Sequence, residues 1–281
     1  MNSKALTSTA ISEIMRVSWF SLRALGCPLG AVESVSRVLA YSEVLDGQTL
    51  AALRRNEREL LLAFSGDPPR FISSDDAAGI IEASGRSMLD VGPRAVNLIT
   101  GLAKQRGDSV KITIKHASDM MGWAGAATVA AQRGIGLLAI KSDPVRSWDF
   151  YSAGHQGDIT SICGELNEST PDRLMAAMRN FAGSSFPATL PSISSVDSNS
   201  FALELIAFPF IADEQFIAGM SGLPGIVCRN VTLALAYAYS HGVALATEDL
   251  KFLYKLETRT WAPSSERSRT QAGFQVASPA A

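Results

Sequence analysis

The chain has 281 residues, 47% of them hydrophobic and 19% charged, which excludes a disordered chain and leaves material for one large or two small packed domains. With 25 basic and 27 acidic residues the formal net charge is −2, so no charge excess draws it to nucleic acid or to an anionic membrane. Cys27, Cys163 and Cys228 are scattered and form no C-x-x-C pair, which speaks against a zinc site; their odd count speaks against a disulfide framework and for a reducing, cytoplasmic setting.

In chain order, the first periodic segment is SEIMRVSWFSLRAL (12–25), with Ile14, Val17, Leu22 and Leu25 at helical spacing and Gly26 and Pro28 as its stop. A second helix is predicted over 31–45, ended by Gly47, and a third over 50–64, ended by the breaker SGDPP. The pattern then changes. GIIEAS (79–84) reads as a strand, 91–107 as a helix with Pro93 in its first turn, and VKITIKH (110–116) as a half-buried strand of alternating apolar and polar residues. GAATVAAQ reads as a helix stopped by Gly134, and IGLLAI (135–140) as a fully buried strand. A strand within DITSICGEL, a helix opened by Thr170-Pro171-Asp172, the strand FALELIAFPF (201–210), a helix within 228–241 and another from Thr247 to about Thr260 complete the pattern. The longest apolar run, 231–246, is interrupted by Ser240, His241 and Gly242 and is too short for a bilayer, which needs about 20 residues. The N-terminal segment lacks the apolar stretch of a signal peptide.

No phosphate-loop, dinucleotide-fold, nucleophile-elbow or zinc-protease motif occurs, and His116, His155 and His241 have no metal-ligand spacing. Each histidine is a candidate proton-transfer group or, on the plainer reading, a structural or surface residue. The stretch SDMMGWAG (118–125) follows a strand and opens a helix, so free backbone N–H groups and a positive helix end meet there. Ser118, Asp119, Gly122 and Gly125 therefore either receive a polar ligand or pack a helix closely on its neighbours. Asp46 stands at the negative end of a helix, either as a functional carboxylate or as a solvated turn residue. Arg267 and Arg269, in a hydroxyl-rich tail, suit bidentate capture of a carboxylate or phosphate, or are simply solvated.

The order of these motifs resembles the malate/L-lactate (sulfolactate-type) dehydrogenase family. That family has helices ending in a Ser-His-Gly turn, then strand, helix and strand leading into an Asn-Ser-Asn-His-Phe-Gly-x-x-Gly turn, a helix and a glycine-led apolar strand. The corresponding stretches are Leu45-Asp46-Gly47, Ser118 to Gly125, and Arg133-Gly134 before Ile135-Gly136, so the likeness covers roughly 10–145. The family's two histidines fall on Asp46 and Met120, and a methionine moves no proton. The C-terminal Arg259-Thr260-Trp261-Ala262-Pro263-Ser264-Ser265-Glu266-Arg267-Ser268-Arg269 resembles the ending of a bacterial family of unknown function.

The resemblance implies an α/β fold that is not a Rossmann fold, with a helical segment over 1–66, an α/β core over 67–262 and a polar tail over 263–281. It implies an NAD(P)-dependent oxidoreductase acting on a small carboxylate, a 2-oxo acid or cyclic imino acid. Asp46 or His116 would be the proton-transfer group, Ser118, Asp119, Gly122 and Gly125 would face the cofactor, and Arg267 and Arg269 the substrate. A homodimer without metal, nucleic acid or membrane partner is expected. The alternatives are a small-molecule-binding or structural relative that lost the histidines, and a cofactor-free lyase or isomerase.

Overall fold

Ile14, Val17 and Leu22 lie wholly buried along one side of α1 (Ile11–Ala24), as their spacing predicts. In the computed structural model, which describes residues 5–65, 67–73, 78–142, 147–165, 174, 176, 178, 179, 201–209, 214–221 and 225–261, α1 leads into α2 (Leu29–Asp46). The helix expected over 50–64 is two helices, α3 (Thr49–Arg55) and α4 (Glu57–Ser65). The break falls at Asn56, in the run Arg54-Arg55-Asn56-Glu57 that offers no apolar residue to either core, and Glu57 and Glu59 then favour a new helix start.

The strands are β1 (Leu6–Thr9), β2 (Arg70–Ser73), β3 (Ala78–Glu82), β4 (Val110–Ala117), β5 (Gly136–Ser142), β6 (Ser147–Ala153), β7 (Ile159–Glu165), β8 (Phe201–Phe208), β9 (Val227–Asn230) and β10 (Val243–Ala246). β1 and β10 pair antiparallel; the other eight form one sheet in the order β2-β3-β4-β8-β5-β6-β7-β9. Among the described residues β3 and β4 are the parallel pair, and α5 (Met88–Arg106) is the crossover between them. Further helices among the described residues are α6 (Trp123–Gln132), α7 (Glu214–Ser221), α8 (Val231–His241) and α9 (Thr247–Thr258). The α/β class and the non-Rossmann arrangement expected from the sequence are present, while β1, β2, β6, β9, β10 and α7 are additions to it. The expected start at Thr170 lies outside the described residues.

Helix α5 begins earlier than its apolar pattern suggests. Ser87 is its N-cap, its hydroxyl accepting the Leu89 amide at 3.1 Å, so Pro93 falls in the second turn instead of the first. The proline removes one intrahelical hydrogen bond there.

The sheet has two apolar faces. Ile112, Ile114, Leu137, Ala139, Leu203 and Leu205 join the core shared with α1, α2, α5 and α6. Leu138, Ile140, Trp148, Phe150, Ile206 and Phe208 form the opposite core with Phe216 and Met220 of α7. Burial on both faces is why IGLLAI is continuously apolar.

Candidate functional site

In an open α/β sheet, the carboxyl ends of parallel strands and the following helix starts are where polar groups converge. Here β3 ends at Glu82 and β4 at Ala117, one residue past His116. The chain leaves both strands through left-handed residues that are not glycine, Ser84 with φ +54° and His116 with φ +55°. The two connections are tied to one another: Ala83 donates its amide to the Lys115 carbonyl, Gly85 to that of His116, and Ser118 to that of Arg86. Non-glycine residues held in this region cost about 1 kcal/mol or more, and such strain clusters where geometry is functional.

The His116 Nδ1 lies 2.8 and 2.9 Å from the two oxygens of the Glu82 carboxylate. An ionised carboxylate only accepts, so Nδ1–H donates and Nε2 is left as the basic nitrogen. The imidazole is half exposed, at 47%, and open to a solute.

Asp119 sits one step further along the same connection. Its Oδ1 accepts the Ser87 hydroxyl at 2.8 Å and the Met121 amide at 2.9 Å, and Oδ2 accepts the Ser118 hydroxyl at 3.2 Å. Burial, partly offset by these donors, holds its carboxyl above the ordinary range. The chain's own carboxylate thus occupies the start of α5, the place a bound anion would take.

Gly122 takes φ +82°, starting α6, and a methyl group there would strike Leu89 and Val38. Gly125 lies against α2, where a methyl group would collide with the Val38 carbonyl and the Ser42 hydroxyl, and its amide donates to Ser42 Oγ at 2.8 Å. At both glycines the space a side chain would take is filled by protein, from α2 and α5 at Gly122 and from α2 at Gly125.

Asp46 is exposed at the end of α2, where its carboxylate caps the next helix. Oδ1 accepts the Gln48 amide at 2.9 Å, the Thr49 amide at 3.1 Å and the Thr49 hydroxyl at 2.9 Å. The apparent mismatch with the end of α2 is resolved by this favourable contact with the start of α3. No hydrogen bond among the described residues joins Asp46 to His116. Arg267 and Arg269 lie outside the described residues.

A second polar group, unforeseen from the sequence, lies on the helix-covered face of β5, β6, β7 and β9. Lys141 Nζ is 2.5 Å from Asp149 Oδ2, which also accepts the Trp123 indole N–H at 3.0 Å. Arg229 donates to the Leu45 carbonyl. Burial and then the Asp149 charge push the phenol of Tyr151 and the thiol of Cys163 up, keeping both neutral.

Only the strand pairing brings Glu82 to His116, since the two residues lie 34 positions apart. The start of α5 was marked by Ser87-x-x-Asp90, a hydroxyl followed three residues later by a carboxylate. A separate cleft of about 580 Å³ lies by the β6–β7 hairpin, and none of Asp46, His116, Ser118, Asp119, Gly122 or Gly125 lines it.

No protein-family model and no curated protein sequence matches the chain. Solved structures do. Malate dehydrogenase from Entamoeba histolytica is similar with a TM-score of 0.64 at 11% identity, over 92% of this chain and 100% of that one. Malate dehydrogenase from Pyrococcus horikoshii OT3 gives 0.62 at 12% identity, over 92% and 97%. Delta1-piperideine-2-carboxylate reductase from Pseudomonas syringae pvar. tomato gives 0.56 at 13% identity, over 89% and 99%. The fold is therefore that of the malate dehydrogenase-like proteins. Among the described residues no helix is long and apolar enough to cross a membrane.

Proposed function

We infer that the chain is an oxidoreductase acting on a small carboxylate, a 2-oxo acid or cyclic imino acid, with His116 as its proton-transfer group. The observation that supports this most is the Glu82–His116 pair at 2.8 Å, held by left-handed backbone at the ends of two parallel strands. The malate dehydrogenase and piperideine-2-carboxylate reductase similarities supply the reaction class by analogy of fold. Glu82 fixes the tautomer and stabilises the imidazolium, and Nε2 gives a proton to the carbonyl oxygen or imine nitrogen as it is reduced, or removes it in the reverse direction. His116 takes this role in preference to Asp46, whose carboxylate is engaged in capping α3. A nicotinamide cofactor would supply the hydride. Because 118–125 packs on α2 and α5, its seat on this reading lies elsewhere.

The test is a thermal-shift titration with NADH and NADPH, followed by turnover with pyruvate, oxaloacetate and Δ1-piperideine-2-carboxylate. A ligand at about 100 times its Kd adds ~2.7 kcal/mol, so binding raises Tm visibly. The expected result is a shift with one cofactor, retained in His116→Asn while turnover is lost. Absence of any shift at millimolar cofactor removes the oxidoreductase reading.

The Asp119 carboxylate at the start of α5 favours a second reading, a cofactor-free lyase or isomerase using the same histidine. Deuterium exchange at the α-carbon of these carboxylates without cofactor, lost in His116→Asn, supports it; no exchange rejects it.

A further inference from the structure

The cleft of about 580 Å³ has the dimensions of a small-molecule site. It lies where α2, the end of α6, the β6–β7 hairpin and α8 meet. Strand register puts this hairpin beside the amino end of β5, and β5 and β4 both run antiparallel to β8, so the cleft and His116 sit at opposite ends of the strands. At ~3.3 Å per strand residue the separation is roughly 20 Å.

Its walls are distinctive in chemistry. None of the lining residues is Lys, Arg, Asp or Glu, so a phosphate or carboxylate would find no countercharge there. Tyr41 and Tyr239 both line it, the first buried and the second 57% exposed. Tyr239 thus offers an accessible aromatic ring to the cleft. Among the described residues no hydrogen bond is made by the side chains of Gln132 or His155, which also line the cleft, so an amide and an imidazole are free to give and accept. Gly154 and Gly157 make the hairpin tip, held by Gly154 N–H to the Asp158 carbonyl at 2.7 Å and Gly157 N–H to the Gly154 carbonyl at 3.0 Å, so backbone lines that side.

We propose that this cleft binds an uncharged heteroaromatic ring bearing hydrogen-bond donors and acceptors, the chemistry of a nucleobase. The ring packs on the Tyr239 face, and Gln132 and His155 read its edge. A base belonging to a free nucleoside and one belonging to a larger nucleotide share this chemistry; the second must leave its phosphates outside the neutral walls. The proposal does not depend on proton transfer at His116.

The experiment is a titration of the full chain with adenosine, and separately with AMP and ribose, read by the His155 imidazole proton resonances. Adenosine is expected to shift the His155 signals saturably, and ribose to leave them in place. Tyr239→Ala, which removes an exposed side chain, should weaken adenosine at least tenfold. His116→Asn should bind adenosine as the parent does, which separates this site from the proposed reaction centre. AMP binding as well as adenosine identifies a nucleotide whose phosphate projects out; AMP binding much more weakly identifies a nucleoside. No saturable shift at millimolar adenosine, or one unchanged by Tyr239→Ala, overturns the proposal.

Discussion

The Glu82 carboxylate holds the His116 ring nitrogen at 2.8 Å across the carboxyl ends of β3 and β4, and the backbone of both connections is left-handed at a residue other than glycine. The contact exists because β3 and β4 are parallel neighbours, with Glu82 opposite Lys115 and His116 next along the strand. A β-bulge between Ile114 and Ala117 then re-aims the histidine.

If Glu82 only positions His116, Glu82→Gln should lower kcat by about tenfold, and His116→Asn by the ~10²–10⁴ of a lost general acid or base. Steady-state kinetics on whichever probe carboxylate turns over gives both numbers. Equal losses would mean that Glu82 itself carries a proton. Ser84→Gly removes the neighbouring strain without touching either side chain, so it should raise stability by up to about 1 kcal/mol in urea denaturation and leave kcat unaltered.

Helix α6 packs closely on α2 at Gly125, where an added Cβ would lie 2.1 Å from the Val38 carbonyl oxygen. Gly125→Ala should cost about 1–3 kcal/mol, because the added methyl meets a backbone carbonyl that cannot rotate away. Gly101→Ala, in α5 with open space around its Cα, is the control and should be neutral or stabilising. A Gly125→Ala protein as stable as the parent would reopen the ligand reading of SDMMGWAG.

Glu43 is buried on α2 and accepts the Leu50 amide at 2.7 Å. Burial is the largest cause lifting its carboxyl from 4.5 to about 7 in the folded chain. Between those values the native state holds a proton that the unfolded chain has lost, so this group makes stability fall as pH rises from about 4.5 to 7. The decrement levels off above pH 7 at roughly 3 kcal/mol. Glu43→Gln should flatten most of this slope in urea denaturation at pH 5, 6, 7 and 8. Asp119, shifted in the same direction, leaves a residue of it. An unchanged slope would locate the dependence elsewhere.

Arg86 and Asp90 form a buried pair at 2.5 Å near the start of α5, and Arg94 reaches the other Asp90 oxygen at 3.2 Å. Removing one partner leaves charge without compensation in a dry site, so Asp90→Ala should cost about 3–5 kcal/mol. The double change Arg86→Met with Asp90→Leu should cost clearly less than Asp90→Ala alone. Thermal and urea unfolding of the two variants make the comparison, and a double variant less stable than Asp90→Ala would show that Arg86 matters chiefly through contacts beyond Asp90, such as the Asp67 carbonyl.

The sequence by itself determined the helices and strands whose apolar residues recur regularly. Ile14, Val17 and Leu22 mark α1, the alternation of VKITIKH marks β4, and the unbroken IGLLAI marks a strand buried on both faces, since each pattern states which sides must leave water. It also brought His116, Ser118 and Asp119 into one connection. Four-residue strands such as β1, β9 and β10 carry too few residues to show a period, and β9 is exposed throughout. The use of each polar residue was decided by the tertiary structure. Asp46 became a cap because α3 starts beside it, Gly125 a packing contact because α2 lies against it, and His116 the partner of Glu82 because β3 and β4 pair in parallel. A side chain's role depends on which group folding brings within about 3 Å, and spacing along the chain does not contain that distance.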